Sequence, residues 1–215
     1  MGAEPRGNII PPLGLYGVLP APEPRHGVVV FARGSDGSRL SPRNAFVAAA
    51  TCQGGPGTLL FDLLPPEEAE DWRKVFDIPQ LAKRLMNATG WLTSPASVSG
   101  AVPIGYFGGS TGAAAMLAAA ALRPDRVCAV DSPGGRPDLA GLEVPSHTRA
   151  PTLLIVGSLD EEVLALNRSA AAQMPAAAEI RVVQGTGHQF EEPGTLGAVV
   201  VLARDRVMDR VGRLP

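Results

Sequence analysis

Long apolar runs, lysine, histidine and cysteine are all scarce in this sequence, and each scarcity removes a class of function. No stretch approaches the roughly 20 apolar residues that cross a bilayer. The N-terminal segment from Asn8 to Pro20 is broken by Pro11, Pro12, Gly14 and Gly17, so neither a membrane anchor nor a secretory leader is expected. A soluble, cytoplasmic protein is the expectation. The two cysteines, Cys52 and Cys128, are far apart in apolar surroundings. They have neither metal-ligand spacing nor the density of a disulfide framework, and read as reduced thiols. Lys74 and Lys83 are the lysines among 19 basic residues, which face 21 acidic ones for a formal net charge of −2. That balance supplies no field to recruit nucleic acid or an anionic membrane. No motif asks for a cofactor or a metal. The expected partner is a small-molecule substrate, and the residues predict no particular oligomeric state.

What is present fits an ordinary globular chain. It has 215 residues, 45% of them hydrophobic and 19% charged, enough for one domain over 1–215 with one sizeable core. Residues 1–24 read as a partly irregular N-terminal segment. Short apolar runs bounded by Gly or Pro recur at Val28–Phe31, Thr58–Leu63, Ile104–Phe107, Val127–Val130, Thr152–Val156 and Ile180–Val183. Continuous rather than alternating, they read as strands buried on both faces. Leu13–Val18 reads as a further edge strand. Helical stretches separate them: Arg43–Gln53 after Ser41-Pro42, amphipathic Ile78–Trp91, Ala-rich Thr111–Leu122, Glu161–Met174 and Thr195–Val211. Gly134–Ala150 and Leu64–Asp77 read as loops. This alternation predicts an α/β fold, a mostly parallel sheet of about 6–7 strands with helices on both faces. Ligands bind such sheets at the carboxyl ends of the strands.

One strand-end loop carries Gly108-Gly109-Ser110-Thr111-Gly112 and runs into the Ala-rich helix. This is G-x-S-x-G in a strand–turn–helix setting, where a strained serine needs flanking residues without side chains. A serine nucleophile needs a base and the base an orienting acid. His26 precedes a strand, at the wrong edge, and His147 lies in a proline-flanked loop. His188 follows the last strand at the correct end. Asp160 follows the preceding strand, and Asp131, at the end of the strand before that, is the rival acid. The order Ser110, Asp160, His188 is that of the α/β-hydrolase arrangement. An oxyanion would take one backbone N–H from Thr111 and a second from the loop after Val28–Phe31, with Ser35 the expected donor and Gly34 the next. Arg33, Arg39 and Arg43, with Arg136 on another strand-end loop, would suit an anionic substrate group, or stand as solvated arginines. Trp72 and Phe76 would wall an apolar pocket, or simply pack.

Four stretches together are similar to small lidless α/β-hydrolases: Gly105–Ala113, Gly134–Leu139, Pro151–Gly157 and Gly187–Gly194. The chain resembles the dienelactone hydrolase-like family over residues 25–205. The resemblance implies a cofactor-free serine hydrolase with Ser110, Asp160 and His188 at the triad positions, cleaving an ester, lactone or thioester. The family usually carries His-Gly at the start of the oxyanion loop, where this chain has Arg33-Gly34. That departure leaves open a non-hydrolytic biosynthetic step, such as cyclisation or elimination; a catalytically silent ligand-binding role is a third, separate alternative.

Overall fold

The computed structural model of the chain describes residues 6–11, 14–19, 27–32, 41–52, 55–94, 102–176 and 178–211. In chain order they form β1 (Arg6–Ile10), β2 (Leu15–Leu19), β3 (Val28–Phe31), α1 (Pro42–Cys52), β4 (Gly57–Phe61), α2 (Pro66–Ala69), α3 (Trp72–Val75), α4 (Ile78–Leu92), β5 (Ile104–Phe107) and α5 (Ser110–Leu122). Then come β6 (Val127–Pro133), a 3-10 turn (Pro137–Ala140), α6 (Val144–His147), β7 (Thr152–Gly157), α7 (Glu161–Ala171), β8 (Ala178–Val183) and α8 (Thr195–Val211). The strands form one sheet in the order β1-β2-β4-β3-β5-β6-β7-β8. The run from β4 to β8 is parallel, and β1 and β2 add an antiparallel hairpin at the β4 edge.

Eight strands exceed the expected count because Arg6–Ile10, in the segment read as irregular, pairs along β2. Arg-Gly-Asn has little β-propensity of its own, and the pairing is a tertiary effect that a local reading misses. The glycine that weakens the β2 signal has a packing reason. A β-carbon at Gly17 would stand 2.8 Å from Leu59 Cδ1 and 2.9 Å from Ile10 Cδ1.

Alternation along β3 divides the core. Val28 and Val30 join the cluster under α4 and α5, with Leu81, Leu85, Ala113 and Leu117. Val29 and Phe31 join the cluster under α1 and α8, with Val47, Val199 and Ala203. Helix α4 starts where the Asp77 side chain accepts the Gln80 N–H at 3.0 Å, with proline in its first turn. The two expected loops contain short helices instead. Asp71 caps α3 by accepting the Arg73 N–H at 3.0 Å, and proline is the first residue of α2 and the second of α6. The half-buried Cys128 is a free thiol, which burial pushes up to about 11.

Candidate active site

Strand β5 hands the chain to α5 through a turn that only small residues can make. A β-carbon on Gly108 would fall 1.9 Å from the Ala32 carbonyl oxygen, and one on Gly109 would fall 2.3 Å from that of Pro133. Ser110 opens α5 with φ +50, one of two non-glycine residues with positive φ among those described. The conformation costs of order 1–3 kcal/mol and persists only where surroundings impose it. Those surroundings are visible: the Ser110 N–H donates to the Gly134 carbonyl at 3.0 Å, and the Arg136 N–H donates to the Ser110 carbonyl at 3.2 Å. Thr111, in the first turn of α5, is buried, and its amide has no intrahelical acceptor. Gly135 is held in turn by buried Asn167 of α7, whose Nδ2 donates to its carbonyl at 2.9 Å.

The other two residues follow the last two strands, Asp160 after β7 and His188 after β8. Asp160 occupies the N-cap position of α7, yet its side chain caps nothing. Its Oδ2 stands 2.7 Å from Nδ1 of His188 instead. Aspartate at an N-cap ordinarily bonds the helix amides, a contact worth about 1 kcal/mol. Here that contact is given up for the imidazole. Glycine again sets the approach, since a β-carbon on Gly157 would lie 2.3 Å from the Thr186 carbonyl oxygen. His188 and Ser110 line one cavity, with Gly134 between them, whose β-carbon position is 3.6 Å from His188 Cε1.

That cavity is lined by apolar residues (Phe31, Val47, Phe107, Leu196, Val199) and by polar ones (Ser41, Arg43, Asn44, Gln189). Arg43 Nη1 donates to Gln189 Oε1 at 2.9 Å and its guanidinium lies 5.9 Å from the Phe190 ring centroid, joining α1 to the histidine loop. Phe190 is the second non-glycine residue with positive φ. Ser41, Asn44 and Gln189 carry no catalytic motif. The Ser41-Pro42 cap that starts α1 was the visible signal for two of them.

Several expected site residues are elsewhere. Arg136 is not among the cavity-lining residues; its guanidinium forms a fork on Asp138, with Nε at 2.8 Å and Nη2 at 2.7 Å. The carboxylate two residues on satisfies the cation that was expected to meet substrate. Trp72 and Phe76 are exposed, on and just after α3, and do not line the cavity either. Folding of their segment into α2 and α3 carries them outward. Arg33, Gly34, Ser35 and Arg39 lie outside the described residues, as does His26. His147 is exposed, its Nδ1 2.8 Å from the Glu143 carbonyl of its own turn.

Asp131, the rival acid, is wholly buried on β6 with no hydrogen bond to either carboxylate oxygen. Arg206 Nε of α8 approaches it at 3.7 Å while donating through Nη1 to Glu179 at 2.9 Å. Burial pushes the Asp131 carboxyl up to about 8, against the pull of Arg206. Among the described residues no group of three or more His, Cys, Asp or Glu side chains is placed to hold a metal ion.

Comparison with known proteins agrees with this architecture. No family model matches the chain. Two curated relatives from strains of Mycobacterium tuberculosis, each named "Putative phosphoribosyl transferase", are 52% identical over 201 residues. The match covers 93% of this chain but 45% of theirs, so the chain spans less than half their length. Among solved structures, Est1E from Butyrivibrio proteoclasticus shares the fold at 15% identity, with TM-score 0.75 over 99% of this chain and 100% of that one. The dienelactone hydrolase from Anabaena variabilis is 44% identical, with TM-score 0.86 over 97% of this chain and 100% of its own. With an elbow serine, a histidine on the last strand-end loop and that degree of identity, the chain belongs to the dienelactone hydrolase-like family of small α/β-hydrolases.

Proposed function

We propose that the protein is a serine hydrolase that cleaves a small-molecule ester, lactone or thioester through an acyl-enzyme on Ser110. The observation that carries the reading is the aspartate that declines its helix: Asp160 bonds His188 at 2.7 Å, and that imidazole shares a cavity with a positive-φ serine. His188 takes the Ser110 proton through Nε2 as the hydroxyl oxygen attacks the carbonyl carbon, and Asp160 stabilises the imidazolium. The tetrahedral oxyanion sits against the Thr111 N–H and a second backbone donor from the loop after β3, for which Ser35 and then Gly34 are the candidates. The proton passes to the departing alcohol or thiol. Water, activated by the same histidine, then releases the acid and restores Ser110.

The test is p-nitrophenyl acetate turnover, with fluorophosphonate labelling beside it. Wild type should turn over and take one label at Ser110. Ser110→Ala should take none and lose on the order of 10³-fold or more of its turnover. Equal turnover in the two proteins would overturn the reading. If wild type takes no label while His188 remains essential, the fold serves a non-hydrolytic step.

One observation favours a second reading, the name carried by the longer Mycobacterium relatives. Phosphoribosyl transfer by this chain would release pyrophosphate from an activated phosphoribosyl donor. On the hydrolase reading, the chain incubated with that donor releases none above background.

A further inference from the structure

We propose that Glu192 is a positioning residue for His188, a carboxylate clamp that keeps the histidine loop in the register its bond to Asp160 requires; this rests on the hydrolase reading above. The loop between β8 and α8, residues 184–194, carries the imidazole at its middle. Without bracing, a segment of this kind would sample many arrangements of the ring, and a shift of 1 Å in a reacting group costs on the order of 10²-fold in rate.

Glu192 braces it from the far side. The Thr186 hydroxyl donates to Glu192 Oε2, and the Gly187 N–H donates to Oε1 at 3.2 Å. These are the two residues immediately before His188. The Glu192 backbone is itself fixed, because Thr195 at the start of α8 donates to its carbonyl through Oγ1 at 2.7 Å and through N at 3.1 Å. The opposite flank of the loop rests on the acid loop. The Leu159 N–H donates to the Thr186 carbonyl at 3.0 Å, and the Gly185 N–H to Ser158 Oγ at 2.9 Å. Wholly buried Thr186 is thus pinned at both ends, by hydroxyl to Glu192 and by carbonyl to the residue before Asp160. Removing the carboxylate leaves the Thr186 hydroxyl and the Gly187 amide without that acceptor.

Charge strengthens the clamp. The Thr186 hydrogen bond holds the Glu192 carboxyl below the usual carboxylate range, so it is ionised at neutral pH and its bonds are charge-assisted. Glu192 does not line the cavity with Ser110, so it acts through the loop and not on substrate.

The test compares Glu192→Ala and Glu192→Gln with wild type, using exposed Glu191→Gln as the control. Three readouts are followed: the fluorophosphonate labelling rate, kcat and KM for p-nitrophenyl acetate, and the proton resonance of the His188 Nδ1–H bonded to Asp160. Glu192→Ala should lower kcat and labelling on the order of 10²-fold with little change in KM, and should lose or shift the resonance. Glu192→Gln keeps an amide oxygen as acceptor and should fall between. Glu191→Gln should match wild type. Wild-type labelling with an unmoved resonance in Glu192→Ala would overturn the clamp. If wild type itself takes no label, the hydrolase reading fails separately. The resonance still decides the clamp, its loss in Glu192→Ala supporting it and its persistence overturning it.

Discussion

At the scale of single residues, contact with His188 separates the two strand-end aspartates. Asp160 is half-buried and bonded to His188, whereas Asp131 is sealed between β6 and α8 with a carboxyl raised to about 8. Asp160→Asn should lower kcat on the order of 10⁴-fold by spoiling the histidine tautomer, while Asp131→Asn keeps near wild-type turnover. The same pair separates in stability. Between the ordinary 3.8 and about 8, folded Asp131 holds a proton that the unfolded chain has released. Stability must therefore fall as pH rises through that window, with the full penalty present above it. Asparagine cannot ionise and leaves Arg206 its bond to Glu179, so the melting temperature of Asp131→Asn should decline less from pH 4 to pH 8 than that of wild type. Ser110 and His188 were readable from the sequence because strand ends bound them on one side. The fork of Arg136 onto Asp138 and the outward turn of Trp72 were not, since both depend on side-chain placement that local pattern does not encode.

At the scale of elements, glycine placement shows which contacts are tight and which are loose. A methyl group at residue 157 would collide with the backbone oxygens of Thr186 and Gly187 at 2.3 Å and 2.4 Å, where no flexible side chain can give way. Gly157→Ala should therefore push the β7 and β8 loops apart, costing at least the 1–3 kcal/mol usual for overpacking and abolishing labelling of Ser110. Gly90, exposed within α4, has nothing within 4 Å of its β-carbon position. Gly90→Ala should add about 1 kcal/mol through helix propensity alone and leave labelling unchanged. Thermal melts with labelling assays check both. Helices with clear ends were legible: α8 spans Thr195–Val211 as expected, and α4 differs at one terminal residue. Strand β1 and the short helices α2, α3 and α6 were not. Four-residue turns and edge pairings draw stability from their neighbours, and their own composition says little.

At the scale of the whole molecule, one continuous sheet carries both halves of the core, so neither face can come apart without exposing strands that the other needs. Urea unfolding followed by tryptophan fluorescence and by far-UV circular dichroism should give coincident transitions; separated midpoints would show that the faces unfold independently. The chain matches the full length of a dienelactone hydrolase but less than half of its longer relatives. No helix among the described residues is long and apolar enough to cross a membrane. The positive φ at Ser110 also sets a conflict between thermodynamics and chemistry. Glycine would sit there with less torsional penalty than serine, so selection for durability alone would erase the hydroxyl. A lineage in which such a reaction ceased to matter would be free to relax at this position.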